Sequence, residues 1–309
     1  MFARILVATD FSKPADGAWA QARELAGAFH ATVHLLHVLP NLFLRPVVND
    51  PHDLETATLK QLRDRLTDAD QRRFRSVAAV ERSDDPADVI VSYARTHDID
   101  LIVMGTHGRV GVAHVLMGSV AETVMRTAPC PVLTVRATGP ATAVRLAHIL
   151  VPTDFSPPSD AALDMARLVA ERFGASLHLL HVLEDRLVDH AFGSELLHSE
   201  SPEKRAARLA DAQEQLSHRI SADDRARLHA TTEIVFGPSA RTIVDYAVNN
   251  SADLIVMGTH GRPRIAHLLM GSVAEQVVRH ATCPVSTVRD ARVRARHRLP
   301  VEAHAAVIA

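Results

Sequence analysis

Asp100–Arg136 reads DLIVMGTHGRVGVAHVLMGSVAETVMRTAPCPVLTVR, and Asp253–Arg289 reads DLIVMGTHGRPRIAHLLMGSVAEQVVRHATCPVSTVR. The two align without gaps, and 28 of 37 positions are identical. A repeat this close means that any site found in one copy is to be sought in the other. The copies extend outward: Ile5–Ser12 (ILVATDFS) returns as Ile149–Ser156 (ILVPTDFS), and His34–Leu39 (HLLHVL) as His178–Leu183. The offset is 144 residues for these segments and 153 for the later one, so nine extra residues follow Leu183 in the second copy. They fall in the polar, helix-prone stretch Glu184–Ala230, where a change of length is tolerated. Ala137–Val144 (ATGPATAV), punctuated by Gly139-Pro140, reads as a linker. The expected domains are therefore 1–137 and 145–290, with a C-terminal arm at 291–309 carrying Arg292, Arg294, Arg296 and Arg298.

Each copy alternates apolar strands with amphipathic helices. In the first, strands are expected at Arg4–Thr9, Thr32–Leu39, Phe74–Glu81, Asp100–Met104 and Val132–Arg136. Helices are expected at Pro14–Phe29, Asp53–Asp70, Pro86–His97 and Ser119–Ala128. Strands apolar along their whole length are buried on both faces, which implies an α/β fold with a parallel sheet between helical layers and right-handed crossovers.

Composition narrows the function. Of 309 residues 47% are hydrophobic and 23% charged, enough to bury a normal core in each half. Lys plus Arg (34) nearly balance Asp plus Glu (36), without the basic excess that binding a phosphate backbone needs, so nucleic acid is not an expected partner. Two cysteines, Cys130 and Cys283, make neither a disulfide framework nor a CxxC motif; each precedes Pro and a strand and reads as a small core residue. The opening residues lack the order of a signal peptide and no apolar run approaches about 18 residues, so no membrane association and a cytoplasmic location are expected.

After the strand ending at Met104 come Gly105, Gly108 and Gly118-Ser119, a G-x2-G-x9-G-S spacing repeated at Gly258, Gly261 and Gly271-Ser272. Glycines admit backbone N–H groups to an anion, and the helix starting at Ser119 offers unsatisfied donors and a positive dipole end. The alternative is a plain turn in which Ser119 caps its own helix. Two copies, each directly after an apolar strand, favour the anion cradle. G-x-x-x-x-G-K-[ST] is absent, and the three lysines, Lys13, Lys60 and Lys204, lie outside the loop, which excludes a P-loop NTPase. No G-x-G-x-x-G follows either first strand, against a dinucleotide fold.

The ILVATDFS opening, the HLLHVL strand and the G-x2-G-x9-G-S loop followed by CPVLTVR resemble the universal stress protein family in its tandem, ATP-binding form. The resemblance implies two domains, each with a five-stranded parallel sheet of order 3-2-1-4-5, whose last strands pair antiparallel to form an intramolecular pseudo-dimer. It implies a ligand at the switch point between the first and fourth strands. Carried over by position, it sets Thr9 and Asp10, with Thr153 and Asp154, beside the adenosine, where a carboxylate accepts hydrogen bonds from ribose hydroxyls. The alternative for Asp10 is capping of the following helix. Val38 and Val182 match the position whose backbone meets adenine, or else are plain core. Met104, Gly105, Gly108, Gly118, Ser119 and Val120 match the loop around ribose and phosphates, as do Met257, Gly258, Gly261, Gly271, Ser272 and Val273. Arg109 and Arg262 lie within that loop. The implied ligand is ATP, AMP or ADP, with or without Mg.

Two departures separate the halves. The family's Gly-Pro turn after the third strand is present as Gly237-Pro238, but the first half has Asp84-Asp85-Pro86. The second loop also carries Arg262 and Arg264 where the first has Arg109 and Gly111. Unequal sites are expected, the second being tighter. Of the 19 histidines, His34/His178, His37/His181, His107/His260 and His114/His267 repeat between copies. His34 and His37 are three apart on a strand and point to opposite faces, so they cannot chelate one ion together; zinc stands as a secondary reading for the loop histidines. The leading functional reading is a regulatory nucleotide-binding stress protein whose occupancy alters conformation or assembly for a protein partner to read. A slow ATPase, or a nucleotide-independent scaffold or chaperone, are the alternatives, since no catalytic residue set stands out. Association of two pseudo-dimeric chains into a homo-oligomer is compatible with this reading.

Overall fold

The computed structural model describes residues 2–41, 51–106, 118–136, 146–184, 201–259 and 271–289. The first half runs β1 (Arg4–Ala8), α1 (Lys13–Phe29), β2 (Thr32–Leu39), α2 (Pro51–Arg63), α3 (Asp68–Arg73), β3 (Ser76–Arg82), α4 (Pro86–Thr96), β4 (Leu101–Gly105), α5 (Ser119–Thr127) and β5 (Val132–Val135). The second repeats it as β6 (His148–Pro152), α6 (Pro157–Phe173), β7 (Ser176–Leu183), α7 (Pro202–Arg219), α8 (Ala222–Arg227), β8 (Thr231–Phe236), α9 (Ser239–Asn249), β9 (Leu254–Gly258), α10 (Ser272–His280) and β10 (Val285–Val288).

All ten strands form one sheet of order β3-β2-β1-β4-β5-β10-β9-β6-β7-β8. Within each half this is 3-2-1-4-5 with every pairing parallel. The halves join where β5 meets β10 antiparallel, Leu133 opposite Ser286. What would be two exposed sheet edges is thus consumed inside one chain, which is the pseudo-dimer implied by the family resemblance. Reciprocal bonds staple the seam. Arg136 Nη1 donates to the carbonyls of Arg279 and Ala281 at the end of α10, and Arg289 Nη1 donates to the carbonyl of Arg126 near the end of α5. Each guanidinium satisfies carbonyls that a helix C-terminus leaves orphaned.

The apolar strands are explained by two cores, one on each face. Ile5 and Val7 of β1 join the cluster beneath α1 and α6, while Leu6 and Ala8 join the one beneath α4 and α5. The stretch Asp53–Asp70, expected as one helix, is broken by a capping box. Thr67 Oγ1 accepts from the Asp70 amide, and the Asp70 carboxylate accepts from the Thr67 amide, so α3 starts afresh there. Ser221 and Asp224 repeat the device before α8.

Candidate functional site

In a parallel sheet the crevice opens beyond the carboxyl ends of the strands, at the point where successive crossovers go to opposite sides. Here those points are β1/β4 and β6/β9. In the second half a cavity of about 270 Å³ occupies the crevice. Eight residues expected at the site line it: Thr153, Asp154, Val182, Met257, Gly258, Gly271, Ser272 and Val273. Pro152, Ser159, His181, Ser239, Ile243 and Thr259 also line it and were not singled out for the site by the sequence reading. The first-half counterparts of the eight expected residues, Thr9, Asp10, Val38, Met104, Gly105, Gly118, Ser119 and Val120, hold the same positions at the ends of β1, β2 and β4 and the start of α5. Gly108, Arg109, Gly261 and Arg262 lie outside the described residues, as do the loop histidines.

The β1–α1 turn is built from its own side chains. Thr9 Oγ1 accepts from the Phe11 amide at 3.1 Å, and Asp10 Oδ1 accepts from the Ser12 amide at 3.0 Å and from its hydroxyl. Thr153 and Asp154 do the same with Phe155 and Ser156. Asp10 therefore braces the turn, but the N-cap of α1 is Ser12, whose hydroxyl accepts from the Ala15 amide. In the second half the Ser159 hydroxyl, absent at Ala15, lies 3.0 Å from Thr153 Oγ1.

Gly105 and Gly258 have a packing reason of their own. A Cβ on Gly105 would lie 2.8 Å from Pro14 Cβ, and one on Gly258 would lie 2.9 Å from the Pro158 carbonyl carbon, at the first turns of α1 and α6. Their role in drawing strand and helix together is structural before it is anything else. Gly118 and Gly271 differ. Each is the N-cap of its helix in ordinary extended backbone (φ −63° and −61°), with no side-chain cap. Ser119 and Ser272 are the first helical residues and do not cap, contrary to the plain-turn alternative. Each glycine amide donates at 2.8 Å to the carbonyl of Thr106 or Thr259, which closes the base of the loop. The N-termini of α5 and α10 thus present amides and a positive dipole end towards the crevice with no carboxylate from their own caps. Met104 and Met257 are buried in the core beneath α4, α5, α9 and α10, and Val38 and Val182 pack against it.

The far wall differs between halves. Asp85 caps α4, its Oδ1 accepting from the Ala87 and Asp88 amides at 3.1 Å, and Asp84 accepts from the Asn41 amide. In the second half Gly237 adopts φ +146° and Pro238 starts α9 without a side-chain cap. Glu184 Oε1 instead accepts from the Ser239 hydroxyl at 2.6 Å.

The histidines of β2 separate as the strand period requires. His34 Nδ1 sits 3.0 Å from the Tyr93 hydroxyl, where burial, with His97 and Arg4, holds its pKa below the ordinary value. His37 turns the other way, to the Thr9 carbonyl at 2.6 Å. Among the described residues no group of three or more His, Cys, Asp or Glu is arranged to hold a metal ion. Cys130 is buried in the core, and Cys283 packs against it with its thiol pushed up to about 11 by burial.

The universal stress protein family model matches residues 1–136 and again 146–289. The chain belongs to the universal stress protein family. It is similar to a universal stress protein of Methanocaldococcus jannaschii, 33% identical over 153 residues, covering 46% of this chain and 81% of that protein. A universal stress protein of Mycobacterium tuberculosis is 30% identical over 197 residues, 63% of this chain, and the match spans 63% of that relative's length. The crystal structure of a universal stress protein from Archaeoglobus fulgidus superposes with a TM-score of 0.68 at 18% identity, covering 94% of this chain and 99% of that one. This last likeness concerns the fold, the tandem arrangement of two universal stress protein domains in one chain. Among the described residues of this universal stress protein no helix is long and apolar enough to cross a membrane.

Proposed function

We propose that this chain is a regulatory adenine-nucleotide-binding protein with one site per half, at the β1/β4 and β6/β9 crevices. The observation that carries the reading is the second-half cavity, which is lined by eight residues that the repeat and the family motif single out. Its donor set fits such a ligand. The uncapped N-terminus of α10 suits phosphate, Asp154 suits ribose hydroxyls, and the Val182 region of β7 offers a half-apolar wall for a base. Occupancy would alter conformation or assembly, read by a protein partner in the cytoplasm. The domains divide at 1–137 and 145–290, with 291–309 as an arm.

The sites are unequal in this reading. In the first half the Asp85 carboxylate occupies the α4 N-terminus; in the second Gly237-Pro238 replaces Asp84-Asp85, the Glu184 carboxylate accepts from the Ser239 amide and hydroxyl, and Ser159 adds a hydroxyl beside Thr153. The second loop is also richer in arginine. The second site is the tighter.

The test is to purify the protein gently, denature it and count released nucleotide by chromatography and mass. Wild type is expected to release up to two per chain and the Gly118→Ala/Gly271→Ala variant none. Alanine adopts the backbone of both glycines without strain, so the variant probes room for a ligand. A wild-type chain that is empty and also fails to bind added ATP refutes the reading.

A further inference from the structure

The turns that carry Asp10 and Asp154 each contain a bulky residue in left-handed backbone, Phe11 at φ 62° and Phe155 at φ 66°. Phenylalanine is strongly disfavoured there, and such a conformation persists only where its surroundings over-determine it. The surroundings are the same in both halves. The Phe11 ring lies 4.7 Å from the His37 ring and 5.1 Å from the Arg65 guanidinium, which pairs with Asp16 at 2.7 Å. The Phe155 ring stacks on His181 at 4.3 Å and lies 4.8 Å from the Arg219 guanidinium, which pairs with Asp160 at 2.6 Å. The histidine closes the clamp from the other side of the aspartate. His37 Nδ1 is 2.6 Å from the Thr9 carbonyl, and His181 Nδ1 is 2.7 Å from that of Thr153. A carbonyl only accepts, so each imidazole carries a proton on Nδ1.

Each histidine therefore holds the residue before the site aspartate through a hydrogen bond and the residue after it through its ring face. We infer that His37 and His181 are positioning residues that fix Asp10 and Asp154 for the ribose of a bound adenine nucleotide. The inference rests on the nucleotide reading above. A histidine needed only for packing would also give this stack, but it would not require a donor at Nδ1. The two roles separate by chemistry. Asparagine places an amide nitrogen at the Nδ position and keeps the bond; leucine fills the space without it.

The full-length chain is titrated with radiolabelled ATP by equilibrium dialysis, giving the number of sites and the Kd of each, for wild type, His181→Leu and His181→Asn. Thermal unfolding is followed on the same samples. His181→Leu is expected to weaken one site about tenfold, the loss of one part-buried hydrogen bond with its positioning effect, and to leave the other unchanged. His181→Asn is expected to restore most of the affinity even where it melts no higher than the leucine variant. His181→Gln, polar but with its amide one bond further out, serves if leucine unfolds the chain, and is expected to bind as weakly. His37 variants should weaken the other site. Leucine or glutamine variants that bind as wild type does, or leucine and asparagine variants equally weakened, overturn the inference while the nucleotide reading stands. A folded wild type with no ATP site overturns that reading, and this inference with it.

Discussion

Asp70 is fully buried, and three donors converge on its carboxylate: the Thr67 amide at 3.0 Å, the Thr67 hydroxyl at 2.8 Å and Arg23 Nε at 2.7 Å. Burial pushes its pKa up, but the Thr67 and Arg23 hydrogen bonds outweigh it, and the net displacement is downward. The sign follows by linkage. The unfolded carboxyl, near pH 4, takes up its proton before the folded one, so this stability is fully present above about pH 4 and drains away as the pH falls through the lowered folded value. Asp70→Asn removes the charge at all pH and turns an amide donor towards other donors. Hydrogen bonds to a charged group contribute about 1.5–3 kcal/mol each, and Arg23 is partly exposed and can rehydrate, which puts the net loss near 2–3 kcal/mol. At a typical slope this moves a urea midpoint by about 1 M. The chain's single tryptophan, Trp19, lies with its ring 5.9 Å from the Arg23 guanidinium, so its fluorescence reports on this locus. Urea titrations at pH 7, 5, 4 and 3 should show Asp70→Asn below wild type at pH 7, with the gap narrowing under pH 4. A variant as stable as wild type at neutral pH, or a gap independent of pH, would falsify the assignment.

Three further outcomes are expected. His30 ends α1 in left-handed backbone (φ 53°) where its counterpart in α6 is Gly174 (φ 65°), so His30→Gly should stabilise by about 0.5 kcal/mol net of the glycine's unfolded-state entropy, read by Trp19 fluorescence in urea. Gly258→Ala sets a Cβ against the Pro158 backbone, and a loss of about 2 kcal/mol together with weakened nucleotide binding is expected in denaturation and dialysis. Burial holds the Cys283 thiol up at about 11, so thiol titration at pH 8 should leave the folded chain unmodified and count two thiols after denaturation.

The fold was legible because the repeat doubled every signal: strands apolar along their length, each followed by a helix, twice over. The misses have local causes. Phe74 reads as part of β3 because it is aromatic and precedes an apolar run, but it ends α3 and packs edge-on against Trp19. The break before α3 was signalled by Thr67-x-x-Asp70, with aspartate where the usual capping box has glutamate or glutamine, and composition alone ran through it. At the site, what both copies share was found and what one copy holds alone was not. Ser159 and Ser239 stand opposite Ala15 and Pro86, so no comparison of halves could mark them. His37 and His181 repeat in both copies, but from sequence they read only as candidate metal ligands; their bond to a carbonyl 28 residues away depends on strand register, which the sequence does not state.

What the two halves kept and what they changed divide the crevice. The turn with its aspartate, the phenylalanine in left-handed backbone, the histidine beneath it and the uncapped glycine at the next helix are common to both. Most differences lie on the opposite wall, at Asp84-Asp85 against Gly237-Pro238 and at the Ser239 hydroxyl, while Ser159, beside Thr153, is a difference on the shared side. A duplicated turn held in disfavoured backbone in both copies is hard to explain by stability alone, since a glycine at Phe11 or Phe155 would relieve the conformation. The phenylalanine is explained if its ring is what the histidine and the arginine grip. In the proposed reading the shared wall would define a common ligand class, and the divergent wall how tightly each half holds it. One chain with two such sites responds over a wider range of ligand concentration than two identical sites would, because each fills around its own Kd.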